Sequence, residues 1–350
     1  KFRQDPLMGG DGGEVADSKY EHQTVEIPLR VHNPGRLEIE KHVKFLTRHL
    51  GVLPDAYTSL DSNRVTLLFF TLSSLDVIGQ LDTVVTEYHR RVIIDWLYQL
   101  QIGKEDGCPQ DACGFRGSFS SAPKTGGNGD YNGYDMANMA QTYSALMCLA
   151  ILGDDLKRVR REDILESVKR SQQEDGCFVS QGAGSEADMR FVYCAVSICY
   201  VLGDDSVINW SKLVSFIRSS IAYDGGIGQM PLNESHGGST FCAIASLALA
   251  GRLWDGSALN SKMISQLVKW ALQKQERGFH GRANKPDDSC YAFWIGATLQ
   301  LLDSLYLADG QVLRDFLLTS QHRLLGGFCK YPEVGASPDA LHTYFSLAAL

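Results

Sequence analysis

GGIGQMPLNESHGGSTFCAIASLALAG, residues 225–251, carries the two features from which the fold is read. Gly225–Ile227 is a glycine-rich turn closed by a large apolar residue. After a short polar loop comes a helix of small and aromatic residues, apolar nearly all round, with Gly251 just past its end. A helix that is apolar on every side is buried on every side, and a glycine beyond the last turn fits a C-cap. The turn recurs as CGF at Cys113–Phe115, GCF at Gly176–Phe178, RGF at Arg277–Phe279 and GGF at Gly326–Phe328. Its closing residues lie 63, 49, 52 and 49 positions apart. A period of about fifty residues is long enough for two helices and their loops.

The other turns are followed by helices of the same kind: YDMANMAQTYSALMCLA, ADMRFVYCAVSICYVLG, DSCYAFWIGATLQLL and PDALHTYFSLAAL. Between them lie segments with one apolar and one charged face, REDILESVKRSQQ, SKLVSFIRSS, SKMISQLVKWALQKQ and QVLRDFLLTSQ. Nearer the start, LEIEKHVKFLTRHL, Ser62–Val77 and Arg91–Gln101 also read as helices, and Gly203 fits another C-cap. No convincing run of alternating strand residues is present. The expected fold is all-α. Doubly buried helices form an inner ring and amphipathic ones an outer ring, with a straight solenoid as the alternative. One domain over 36–350 is expected, preceded by a poorly ordered tail over 1–35. The apolar pattern still runs at Leu350, so a continuation of the natural chain is expected.

The chain has 350 residues, 44% hydrophobic and 21% charged, which is ordinary globular composition with enough apolar matter for a large core. It has no uninterrupted span of about 18 apolar residues, so it is not expected to span a membrane. No basic stretch followed by an apolar one opens it, so no secretory signal is read. Nine cysteines, an odd number mostly set in apolar helical patterns, favour reduced thiols and a cytoplasmic protein. The net charge of −8 argues against nucleic acid as a general partner.

Counting from each turn to the polar residue that opens the next inner helix gives 12 for Arg190, 9 for His236, 11 for Cys290 and 14 for His342. Similar offsets place all four at one end of the ring. The bland reading is that each polar residue caps its own helix, but Arg and His are not usual N-caps. The densest stretch is HGRANKPDDSCYAFW, His280–Trp294. There Asp288 is expected at the helix cap and Cys290 in the first turn. With His342 they make three ligands of the kind zinc takes, leaving a fourth position open. A zinc ion so held would lower the pKa of an added thiol. His236, Arg282, Lys285 and Lys330, with Tyr291 as an extra donor, suit an anion with many oxygens such as a diphosphate. Phe69, Phe70, Tyr193, Phe241 and Trp294 read singly as core. As a set they suggest a pocket for a long apolar chain with a charged head.

These residues carry a family resemblance. DMRFVYCA, ESHGGSTFC, HGRANKPDDSCYAFW and GGFCKYPEVGASPDALHTYF closely resemble the beta subunits of the protein prenyltransferases, and the likeness runs from about Glu38 to Leu350. The resemblance implies an α/α toroid paired with a helical-repeat alpha subunit. It implies transfer of an isoprenoid from its diphosphate to the cysteine of a C-terminal CaaX box. It makes Asp288, Cys290 and His342 the zinc ligands, and His236, Arg282, Lys285 and Tyr291 the diphosphate grip, joined by a lysine from the alpha subunit. Arg190, Tyr193, Cys242 and Trp294 become pocket wall, with Arg190 also serving the peptide.

Two positions point to the geranylgeranyl (type I) branch. Lys330 stands where the farnesyl branch has an aspartate for magnesium, so magnesium should not be required. Thr66 stands at the pocket floor, beside Phe70, where that branch has tryptophan; the smaller residue leaves room for a C20 chain from geranylgeranyl diphosphate. Expected protein substrates end in CaaX with X preferably Leu, such as Rho-type small GTPases. Asn138 departs from the histidine of the type I branch in the pocket for the last peptide residue, which loosens that preference. Phe191 and Leu341 agree with the family there. The alternatives are a farnesyl enzyme and a toroid scaffold without catalysis. The D-x-D-D run of terpene cyclases is absent.

Overall fold

In the computed structural model, residues 35–53, 55–119, 136–182 and 184–350 are described. The expected tail, 1–35, lies outside them except for Gly35. The helices are α1 (Ile39–His49), α2 (Arg64–Val77), α3 (Leu81–Val84), α4 (Glu87–Gln99), α5 (Met139–Ile151), α6 (Arg161–Ser171), α7 (Met189–Leu202), α8 (Trp210–Ser219), α9 (Gly237–Leu249), α10 (Ser261–Leu272), α11 (Tyr291–Leu301), α12 (Gly310–Thr319) and α13 (Ala340–Ala349). The strands are two-residue pieces in the turns. β1 (Gln101–Ile102) pairs antiparallel with β2 (Gly114–Phe115), and β3 (Phe328–Cys329) with β4 (Pro338–Asp339).

Helices α2, α5, α7, α9, α11 and α13 pack in that order, and α13 returns to α2, so the inner ring closes. The solenoid alternative is thereby excluded. Outer helices α1, α4, α6 and α10 lie against α2, α5, α7 and α11. The reason is the patterning: α7 and α9 bury residues on nearly every side, whereas α8 buries only Leu213, Phe216 and Ile217. The turn residues Phe115, Phe178, Ile227, Phe279 and Phe328 are all fully buried. Gly203 and Gly251 have positive φ, as C-caps should. Several helices differ from their expected bounds by a few residues. α4 starts four residues earlier than Arg91, because the Thr86 hydroxyl caps it by accepting from the His89 N–H. It stops at Gln99, because Gln101 enters β1.

A device not foreseen ties the hairpins together. Gln101, Gln172, Gln275 and Gln321 each follow an outer helix and clamp the backbone at the start of the next. Gln172 accepts from the Asn209 N–H at 2.7 Å and donates to the Asn209 carbonyl at 3.1 Å. Gln275 does the same to Asp309, and Gln101 to Arg158 and Arg160. Gln321 reaches across the chain to accept from the Glu38 N–H at 2.9 Å, which joins the last repeat to the first.

His42, fully buried, locks that closure. Its Nδ1 accepts from the Gly327 N–H at 2.9 Å, so the proton sits on Nε2, which donates to Gln321 Oε1 at 2.9 Å. The imidazole also stacks on Phe328. Gly326, at φ 75°, passes so close that a Cβ would meet the Lys41 carbonyl oxygen at 2.1 Å. Burial lowers the pKa of His42 from 6.5, against smaller upward pulls from Gln321 and Glu38 and a further lowering by Lys41. A folded pKa below the unfolded one means that stability is full above about pH 6.5 and falls as the pH drops through it. Thermal unfolding at pH 7.5 and 5.5 should therefore show the gap between wild type and His42→Asn narrowing at the lower pH. An unchanged gap would contradict this role.

Candidate functional site

The inner helices start at one end and run in register. Tyr143, Tyr193, Phe241 and Tyr344 are each the fifth residue of α5, α7, α9 and α13. Their side chains join those of neighbouring helices in a continuous aromatic belt. Phe69–Tyr143, Tyr143–Tyr193, Tyr193–Phe241, Phe241–Trp294, Trp294–Phe345 and Phe69–Tyr344 have centroids 4.3–5.6 Å apart. Phe70 adds to it through Tyr344 and Phe345. Tyr143, Tyr193, Phe293, Trp294 and Tyr344 are only partly buried, although they belong to inner helices, so they face the lumen.

At the helix starts above this belt, Asp288, Cys290 and His342 converge, with ligand atoms all within 4.8 Å of one another. Cys290 does not sit inside the first turn of α11 as expected. It occupies the cap position, already with helical φ and ψ, and its N–H donates to Asp288 Oδ1 at 2.9 Å. Ser289 fixes this segment on β3, donating from its N–H to the Lys330 carbonyl and from its hydroxyl to that of Cys329. His342 Nε2 lies 3.3 Å from Asp288 Oδ1, and its Nδ1 is held by Asp339 Oδ2 at 2.6 Å. Asp339, the N-cap of α13, was not singled out from the sequence, although the D-x-x-H spacing puts cap and histidine on one turn. It sets the direction of the imidazole in the way carboxylates orient metal-ligating histidines.

The electrostatics of the three suit a cation. Burial would raise the Asp288 carboxyl, but hydrogen bonds from His342 and Cys290 hold it below its ordinary value. Burial would lower His342, yet Asp288 and Asp339 carry it up to about 9. Burial, then Asp288, push the Cys290 thiol well up. A divalent ion among them would reverse that last effect. One thiol, one carboxylate and one imidazole is a donor set that zinc takes.

The second half of the site is His236 with Tyr291. His236 overturns the expectation that histidine does not cap. Its Nδ1 accepts from the N–H groups of Gly238 and Ser239 and so caps α9. The ring's proton is therefore on Nε2, which donates to the Tyr291 hydroxyl at 2.8 Å. Burial, then Arg282 and Arg190, lower the imidazole to about 4, so it stays neutral. Gly281 and Gly237 flank the phenol closely; a Cβ on Gly281 would meet Tyr291 Cζ at 1.9 Å.

The cations do not converge equally. Arg282 is exposed but near enough to act on both His236 and Tyr291. Lys330 is half-exposed, with Nζ 3.6 Å from Asp288 Oδ2 and 5.2 Å from the centre of the Tyr331 ring. Lys285 is exposed and makes no hydrogen bond or ion pair among the described residues. Arg190 is not a spare cation, because Asp188 and Glu186 both hold its guanidinium.

The remaining pocket residues are spread out. Thr66 lies in the first turn of α2. Its hydroxyl donates to Gln141 at 3.0 Å. Asn138 is the N-cap of α5 and spends its side-chain oxygen on the N–H groups of Ala140 and Gln141. Phe191 is buried beneath the Arg190 guanidinium. Cys242 is buried too, its thiol pushed well up by burial and then by Cys194. Leu341 is half-buried beside His342. No helix among the described residues is long and apolar enough to cross a membrane.

The prenyltransferase alpha-alpha toroid domain matches residues 37–350. The geranylgeranyl transferase type-1 subunit beta of Dictyostelium discoideum is 38% identical over 323 residues, covering 89% of each chain. That of Arabidopsis thaliana is 39% identical over 335 residues, covering 92% of this chain and 86% of the relative. Among solved structures, Candida albicans protein geranylgeranyltransferase-I complexed with GGPP is similar with a TM-score of 0.76 at 28% identity, over 90% of this chain and 91% of that one. A domain match over nearly the whole described chain, with relatives this similar end to end, settles the family: the chain belongs to the prenyltransferase alpha-alpha toroid family, alongside the beta subunits of type-1 geranylgeranyl transferases.

Proposed function

We propose that this chain is the catalytic beta subunit of a type-1 geranylgeranyl transferase. It would move a C20 group from geranylgeranyl diphosphate to the cysteine of a C-terminal CaaX box. The observation that carries this is the placing of Asp288, Cys290 and His342 beside the His236–Tyr291 pair, directly above the aromatic belt. In the reaction a bond forms between the substrate sulfur and C1 of the isoprenoid, the C1–O bond to diphosphate breaks, and the thiol gives up its proton.

Asp288, Cys290 and His342 would hold zinc. Bound there, zinc supplies the acidification of the substrate thiol. The chain's own residues manage the leaving charge. Because His236 donates to Tyr291, the phenol's own hydrogen is free to point at a diphosphate oxygen. Arg282 and Lys330 add fixed positive charge where negative charge grows, which favours the transition state over the ground state. Lys285 can join only by a loop or side-chain movement. The belt receives the isoprenoid.

A fixed ammonium at Lys330 does what a magnesium ion would do, so we infer no magnesium requirement. An alpha subunit is the inferred partner, with proteins such as Rho-type GTPases as substrates. A cytoplasmic setting suits nine cysteines that are all buried. Turnover of the heterodimer on peptides ending in Leu, Met, Phe and Ser tests the reading. The C20 diphosphate should exceed the C15 one by at least about tenfold, the size of a few methylenes in a fitted pocket. Assaying the zinc-loaded heterodimer in magnesium-free buffer should leave the rate unchanged. A preference for C15, or a magnesium requirement, would favour the farnesyl alternative.

A further inference from the structure

The loop that carries Arg282 and Lys285 is a closed excursion of the chain. It leaves at Phe279 and returns at Asp288, whose N–H donates to the Phe279 carbonyl at 3.1 Å. At its outer side, Gly237 donates from its N–H to the Gly281 carbonyl at 2.9 Å, tying the loop to the start of α9. Gly281 lies flat against Tyr291. Asn284, at the tip, has φ 57°. The height of this loop therefore fixes where Arg282 stands over His236 and Tyr291.

One side chain holds the base of the loop. Asp287, only 10% exposed, accepts through Oδ2 from the N–H groups of Arg277 at 2.9 Å and Gly278 at 2.7 Å. It thus binds the end of the excursion to the turn just before its beginning. Its other oxygen faces His280 Nδ1 at 3.5 Å, and neither atom has a hydrogen-bond partner among the described residues. His280 is itself fixed, donating from its N–H to the Lys274 carbonyl at 3.0 Å. A buried carboxylate with one oxygen doubly used is a costly feature in a surface loop unless it fixes a geometry. Nothing in the metal cluster uses it.

We propose that Asp287 is a positioning residue for isoprenoid diphosphate. It pins the base of the 280–287 loop so that Arg282 is held over the His236–Tyr291 pair. Its effect falls on diphosphate affinity and not on the metal, although its neighbour Asp288 belongs to the cluster. The inference rests on the function proposed above and adds a residue to it.

The test uses the αβ heterodimer. Binding of geranylgeranyl diphosphate is followed by tryptophan fluorescence, with zinc content, peptide KM and kcat measured alongside. Asp287→Ala should weaken geranylgeranyl diphosphate about tenfold, the scale on which misplaced binding groups act. Zinc content and peptide KM should stay within about twofold of wild type. Asp287→Asn, whose amide oxygen can still accept from both N–H groups, should recover affinity to within about threefold. If Asp287→Ala does not assemble, Asp287→Glu, with the carboxylate displaced by one methylene, carries the same expected loss.

Unchanged affinity in Asp287→Ala overturns the proposal. So does an Asn variant as weak as the Ala one, or a loss of zinc together with peptide affinity. If the wild type itself fails to bind geranylgeranyl diphosphate, the function proposed above fails and takes this inference with it.

Discussion

Cys290→Ser should strip the metal and cut turnover at least a hundredfold, while leaving isoprenoid binding nearly intact. Serine fits the space and keeps the backbone N–H on Asp288, so the cap of α11 survives. What changes is the ligand atom. A hydroxyl is a far poorer zinc ligand than a thiolate, and losing one of three protein ligands removes most of the affinity. The diphosphate side depends on His236, Tyr291 and Arg282, none of which needs the sulfur. Zinc analysis of the purified heterodimer should thus fall from one ion to near zero, with geranylgeranyl diphosphate affinity within about threefold of wild type. A Cys290→Ser enzyme at full speed would mean that Cys290 is no ligand.

Lys330→Asp should create a magnesium requirement that the wild type lacks. The substitution removes the ammonium beside Asp288 and puts a second carboxylate there. Without a divalent ion, turnover is expected to fall about a hundredfold, the order seen when one preorganised donor to developing charge is lost. A carboxylate and the oxygens of a diphosphate are what magnesium binds well. Millimolar magnesium should therefore return at least about tenfold of the lost rate to the variant and nothing to the wild type. Rates with and without magnesium decide it. An unaffected variant, or equal gains in both proteins, would remove Lys330 from the reaction.

The repeat was legible because a glycine turn followed by an all-round apolar helix leaves a mark in composition alone. The glutamine clamps were not. Gln101 stands 14 residues before Phe115, but Gln275 only 4 before Phe279, so turns of different length hide a feature that four turns share in space, Ile221 standing in its place in the fifth. Within the site, ligand types survive in sequence but orientation does not. Asp339 is an ordinary cap until its carboxylate is seen on His342. The rule about caps misled at His236, because Nδ1 reaches the same N–H groups that a short oxygen-bearing side chain does. Arg190 was read as pocket wall, and its hold by Asp188 and Glu186 was not read from the sequence, although both lie within four residues of it. Thr66 was read by size alone, and its bond to Gln141 depends on the register between α2 and α5.

The join made by Gln321 and His42 also governs how this protein comes apart. An open stack of hairpins frays from its terminal units, each loosened separately. Here every inner helix has a neighbour on both sides, so no unit is exposed to peel first, and melting is pushed toward a single cooperative event.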